Sequence, residues 1–159
     1  MKQMETAIAE RDFETFARVT MRDSNSFHAT CLDTEPPIFY MNDVSRAAVR
    51  IVEGINERNG TVVAAYTFDA GPNAVIYYLE DNASAVEATF RAILGELQGW
   101  RTPSDGDGIK SAKSMLEGID AKSAEVLKDG VGRVICTRIG EGPNRTEEHL
   151  IDEQGRPTS

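Results

Sequence analysis

The chain has 159 residues, 40% of them hydrophobic, which is enough for one domain with a buried core. Its formal net charge of −9 and pI near 4.7 argue against nucleic acid, anionic headgroups or other polyanions as partners of the chain taken by itself. No apolar stretch of membrane-spanning length and no signal peptide stand out, so the expectation is a cytoplasmic protein with no membrane partner.

Residues 1–10 are helix formers with Met4 and Ile8 four apart and no cap before them, which reads as a helix cut near its start and the chain as part of a longer one. Asp12 is placed to cap a second helix, in which Phe13, Phe16, Ala17, Thr20, Met21, Ser24, Phe27 and Cys31 step by three and four to about Leu32. Its later turns crowd Asp23, Ser24, Asn25, Ser26, His28 and Thr30 together. Ser and Asn compete with the helix for backbone hydrogen bonds, so this crowding costs stability and points to a polar cavity or site; for His28 taken alone, a satisfied, partly buried side chain is the stronger reading. Pro36-Pro37 breaks the chain. The stripe Tyr40, Val44, Ala48, Ile51 and Ile55 then predicts a helix over 42–58 that ends at Asn59-Gly60.

Thr61–Phe68 and Ala74–Leu79 are β-branched and aromatic, which predicts two adjacent strands. A further helix opens at Asp81-Asn82, with Ser84 and Glu87 at capping-box spacing and Val86, Phe90, Ile93 and Leu97 as its buried stripe, and stops by Gly99. Residues 101–108 read as a mobile loop, and 109–128 as weakly helical with a break at Gly118. Val131–Ile139 alternates and predicts another strand, with Arg133 and Arg138 on opposite faces and either available to a ligand; the polar tail 144–159 holds only Leu150-Ile151 as an apolar pair and reads as irregular or a short edge strand. Cys31 and Cys136 show no metal or redox spacing and read as small buried hydrophobes, and no metal site is predicted. The sequon spellings at Asn59, Asn82 and Asn144 read as accidental without a secretory signal. The order of elements makes the class α+β, helices against a mainly antiparallel sheet, in a single domain over 1–159.

Between the two strands lies Asp69-Ala70-Gly71-Pro72-Asn73. Gly71 permits a positive φ, Pro72 fixes its own, and Asn73 can bond nearby backbone, so the loop is stiff and displays one carboxylate. A carboxylate held this way suits a general base, although from pattern alone a turn role for Asp69 is the stronger reading. There is no P-loop, no G-K-[ST] and no dense Lys/Arg cluster, so a phosphate cradle is not expected within the chain.

The strings Phe68-Asp69-Ala70-Gly71-Pro72-Asn73-Ala74, Asp23-Ser24-Asn25-Ser26-Phe27-His28-Ala29-Thr30-Cys31-Leu32-Asp33 and Pro36-Pro37-Ile38-Phe39-Tyr40-Met41-Asn42 resemble the C-terminal half of diphosphomevalonate decarboxylases, from Met1 to about Pro143. The resemblance implies the α+β C-terminal domain of the GHMP kinase superfamily. It also implies a carbon–carbon lyase that phosphorylates mevalonate 5-diphosphate with ATP and decarboxylates it to isopentenyl diphosphate. On that resemblance Asp69 is the catalytic acid–base group, while Ala70, Gly71, Asn25, Ser26 and His28 border the substrate. ATP and Mg are expected to be bound mainly by an N-terminal half outside this chain, leaving the chain inactive alone, and a homodimer is an assembly the family admits. At the position of Ser26 some bacterial members carry an arginine, so serine here weakens any diphosphate role for that turn. The alternative is a self-contained α+β binding or regulatory module.

Overall fold

Residues 2–100, 115–147 and 149–158 are described by the computed structural model. Helix α1 spans Lys2–Glu10 and α2 spans Phe13–Leu32, with Asp12 as predicted capping α2 by accepting from the Thr15 N–H at 3.0 Å. The two helices pack on each other, and each buries a small side chain, Ala7 in α1 and Ala17 in α2. Helix α3, Asp43–Asn59, opens with a reciprocal capping box between Asn42 and Ser45 and ends at Gly60, whose φ of 66° suits a residue without a Cβ.

Strands β1, Ala64–Thr67, and β2, Val75–Tyr78, form a two-stranded antiparallel sheet with Ala64 opposite Tyr78 and Thr67 opposite Val75. Both lie inside the predicted runs and are shorter than them. A 3₁₀ turn at Glu80–Asn82 leads into α4, Ala83–Leu94, and the last described helix, α5, is Ala121–Gly130 after Gly118 at φ +76°. The class is α+β, with helices packed on an antiparallel sheet.

The core gathers along one face of α3. Ile51, Val52 and Ile55 are fully buried against Ala64, Phe68, Val86 and Leu127, and each such aliphatic side chain contributes about 1.5–3 kcal/mol over its exposed state. α3 lies chiefly on α5, and α2 chiefly on β1. Asn56 follows the outer edge of β1, where its Oδ1 accepts from the N–H groups of Val63 and Ala64 at 2.8 and 2.9 Å and its Nδ2 donates to the Ala64 carbonyl at 2.9 Å. Phe16 of α2 meets Tyr77 of β2 edge-on at 5.6 Å, so the start of α2 is held to the far strand as well.

Three sequence expectations fail locally. Val131–Ile139 is not a strand: a ladder needs a neighbour, and among the described residues the segment's backbone bonds run from the Val131 N–H to the Leu127 carbonyl at 3.1 Å, closing the preceding helix, and from the Val134 N–H to the Gln98 carbonyl at 3.0 Å. Ile135 and Ile139 are accordingly 69% and 94% exposed, Arg133 and Arg138 are both exposed, and Cys136 is half-buried in irregular chain while Cys31 is buried. The Ser84/Glu87 capping box does not form, since α4 already begins at Ala83, Asn82 makes no side-chain cap and Glu87 instead accepts the Tyr78 hydroxyl at 2.6 Å. α4 stops at Gly95 rather than Gly99, which leaves Leu97 beyond it. In the tail Ile151 bridges to Pro157, a minimal hairpin closed by Asp152, which accepts from the N–H groups of Gln154 and Arg156 at 2.9 Å each. The loop expected at 101–108 and the start of the weak helix at 109–114 lie outside the described residues.

Candidate functional site

The chain leaves β1 through Phe68, which is buried, and reaches Asp69, which is exposed. Two hydroxyls fix this exit. Ser24 of α2, itself buried, accepts the Phe68 N–H at 3.0 Å, and Ser45, buried in the first turn of α3, donates to the Pro72 carbonyl at 2.8 Å. The five-residue loop is therefore tied at its entry to one helix and near its exit to another. Inside it, the Ala70 N–H donates to Asp69 Oδ1 at 2.8 Å and the Gly71 N–H to the Asp69 carbonyl at 2.6 Å. One carboxylate oxygen orders the loop, and Oδ2 makes no hydrogen bond among the described residues.

Gly71 is half-buried and does not use a positive φ, contrary to the freedom expected of it, and a Cβ there would meet nothing within 4 Å. The proline that follows explains this, because it drives the preceding residue toward extended backbone at negative φ.

His28 lies under the loop in an aromatic cluster, its ring 5.1 Å from Phe27, 6.3 Å from Tyr40 and 6.2 Å from Phe68. The side chain is half-buried, as the sequence suggested, but its Nε2 is buried with no hydrogen-bond partner among the described residues, so it is not the satisfied histidine expected. Asn25, one residue after the Ser24 anchor, turns instead to Tyr66, donating through Nδ2 to the tyrosine oxygen at 3.1 Å. Ser26 is exposed, and its carbonyl accepts the Thr30 hydroxyl at 3.0 Å.

The structure thus brings His28 to Phe68 at the base of the Asp69 loop and sends Asn25 to the middle of β1. Sequence reasoning missed Ser24 as the clamp on Phe68 and Ser45 as the clamp on Pro72. Ser45 had a signal, since Asn42-Asp43-Val44-Ser45 has the spacing of an N-terminal cap; Ser24 was seen as a misplaced polar residue on an apolar stripe, and its use is legible only in three dimensions. Among the described residues no group of three acidic, histidine or cysteine side chains is placed to hold a metal ion, and no helix is long and apolar enough to cross a membrane.

Residues 1–146 match the family model of the mevalonate 5-diphosphate decarboxylase C-terminal domain. The chain is 56% identical to diphosphomevalonate decarboxylase of Aspergillus fumigatus over 159 residues, covering 98% of this chain and 39% of that protein. It is 46% identical to the Saccharomyces cerevisiae protein of the same name, covering 94% of this chain and 38% of that one. A solved mevalonate 5-diphosphate decarboxylase superposes with a TM-score of 0.81 at 44% identity, over 96% of this chain and 40% of that structure. The Trypanosoma brucei mevalonate diphosphate decarboxylase gives a TM-score of 0.58 at 28% identity, over 85% of this chain and 35% of that one. The chain spans about two-fifths of the length of the curated relatives it matches. It belongs to the family of mevalonate 5-diphosphate decarboxylase C-terminal domains.

Proposed function

We propose that this chain supplies the carboxylate that activates the substrate hydroxyl in an ATP-dependent decarboxylation of mevalonate 5-diphosphate to isopentenyl diphosphate, a step of isoprenoid synthesis in the cytoplasm. The observation that carries the reading is Asp69, an exposed carboxylate at a strand exit whose loop is clamped by Ser24 on one side and Ser45 on the other. A tertiary alcohol is a weak nucleophile. A carboxylate within hydrogen-bond reach orients the hydroxyl and takes its proton as the γ-phosphoryl group of the co-substrate ATP is transferred, and phosphate and carbon dioxide then leave. The free Oδ2 of Asp69 is the oxygen suited to that contact, because Oδ1 is engaged by Ala70. Ala70 and Gly71 border the same substrate, with Ser26 and His28 on the adjoining helix.

The described residues do not fit a triphosphate–metal cradle: Asp69 has no second acid beside it in a ligating group, and no phosphate loop is present. The cationic and metal-binding parts belong to the remaining three-fifths of the full-length protein, and the chain alone turns over neither ATP nor substrate.

Asp69→Asn in the full-length protein keeps the size and most of the loop hydrogen bonding. Turnover falls by about 10² to 10⁴ while the Michaelis constants and melting temperature hold. Turnover within tenfold of wild type, accompanied by a lowered melting temperature, would reduce Asp69 to a turn residue.

A further inference from the structure

Away from the Asp69 loop, α2, α3 and the approach to β1 enclose an open concavity of about 660 Å³. Arg18 and Arg22 line it from α2 and Arg50 from α3, so three arginines border one concavity in a chain whose net charge is −9. The sequence hid this because the arginines lie on two helices and no local run of basic residues exists. Asp69, Ala70 and Gly71 do not line it.

The arginines are available. Arg22 has no ion pair among the described residues. Arg18 pairs with Glu14 at 2.7 Å and Arg50 with Glu53 at 3.2 Å, with Asp120 also within its field, but the four paired side chains are at least half exposed, and exposed pairs of this kind are exchanged at little cost. A phosphate offers each planar guanidinium a better, bidentate partner than a single solvated carboxylate oxygen does.

The rest of the wall narrows the ligand. Glu53 and Glu57 stand on the α3 side, so negative charge spread over a whole ligand is opposed and the charge must be concentrated at the arginine end. Met21, Val62 and the buried Tyr66 ring supply an apolar wall, and the Asn25–Tyr66 hydrogen bond places polar atoms among them. The volume lies within the range of small-molecule sites. We infer that this concavity binds a small organic phosphate, its dianionic head on Arg18, Arg22 and Arg50 and its uncharged body against Met21, Val62 and Tyr66. The site is separate from the Asp69 loop, so its test does not depend on the reaction assigned above.

Titrating the 159-residue chain at low ionic strength with phenyl phosphate, followed by calorimetry and by the NMR shift of the Asn25 side-chain amide, tests it directly. Saturable binding at or below about 1 mM is expected, weakening as salt is raised. Inorganic phosphate, which lacks the body, binds about tenfold more weakly or worse. Arg22→Gln and Arg50→Gln each weaken phenyl phosphate by about tenfold with no change in melting temperature, whereas Arg156→Gln in the tail does not. The inference is overturned if binding does not saturate, if Arg156→Gln is as damaging as Arg22→Gln, if inorganic phosphate binds as tightly, or if the Asn25 amide does not move.

Discussion

The hydroxyl of Ser45 donates to the carbonyl of Pro72 at 2.8 Å across 27 residues of sequence, while the same side chain completes the capping box with Asn42. The first turn of α3 and the Asp69 loop therefore share one buried hydroxyl. Losing it removes a cap and a loop clamp together.

Ser45→Ala is expected to cost about 1–2 kcal/mol in denaturant unfolding, since it takes away one cap bond and leaves the Pro72 carbonyl without its partner. Amide exchange at Gly71 and Asn73 rises more than exchange in the middle of α3. A uniform rise along α3 with an unchanged loop would mean that the clamp does not order the loop.

Ile51→Ala or Ile55→Ala is expected to cost about 2–5 kcal/mol, because both side chains are fully buried where α3 meets the sheet, α4 and α5. Val75→Ala on the half-exposed β2 should cost far less, since it leaves no cavity. Equal melting temperatures for the Ile51 and Val75 variants would place the core elsewhere.

Acid lability should arise in part at two caps. The Thr15 hydroxyl and backbone N–H hold the Asp12 carboxyl below its ordinary value of 3.8, and those of Ser123, helped by Arg50 and Lys122, do the same for Asp120. A carboxylate depressed in the folded state adds stability that is fully present above the unfolded value and is lost as pH falls through the folded one, so the loss begins below about pH 4. Asparagine caps nearly as well but does not titrate in this range. Asp12→Asn and Asp120→Asn therefore keep neutral-pH stability and lose less of it on acidification, which melting curves at pH 7 and at about pH 3 compare directly.

Gly99→Ala is expected to detach 131–139 from the body of the protein. Gly99 sits at φ +111°, and a Cβ there would collide with the Val134 carbonyl oxygen, which is backbone and yields only if the segment moves away. Protection of the Val134 amide should vanish while the α3 core keeps its unfolding midpoint. A large loss of global stability would mean that the segment is integral to the core.

Where the amphipathic signal was long, the sequence was sufficient. α2, its Asp12 cap and α3 lie within a residue or so of their predicted limits, because a twenty-residue stripe and a clear cap leave little freedom. The strand pair was equally plain from its β-branched runs. The failures lie where a local pattern needed a distant partner. Val131–Ile139 has the composition of a strand and no neighbour to ladder with among the described residues, and Ser84 has the spacing of a cap inside a helix that had already begun. The sequence singled out the loop that carries Asp69 but not its two clamps, because a serine on an apolar stripe does not reveal which amide it will meet 44 positions away.

Asn56 gives the sheet a direction of growth. By occupying both the N–H and the C=O of Ala64, its amide imitates the rung of a neighbouring strand and blocks the start of the β1 side to an incoming backbone. Among the described residues the start of β1 is thus capped while β2 has no such plug, so the two-stranded sheet is a template that favours growth on one side. Asn56→Leu should remove this stopper, and the chain would then associate through β1 at concentrations where the wild type stays dispersed.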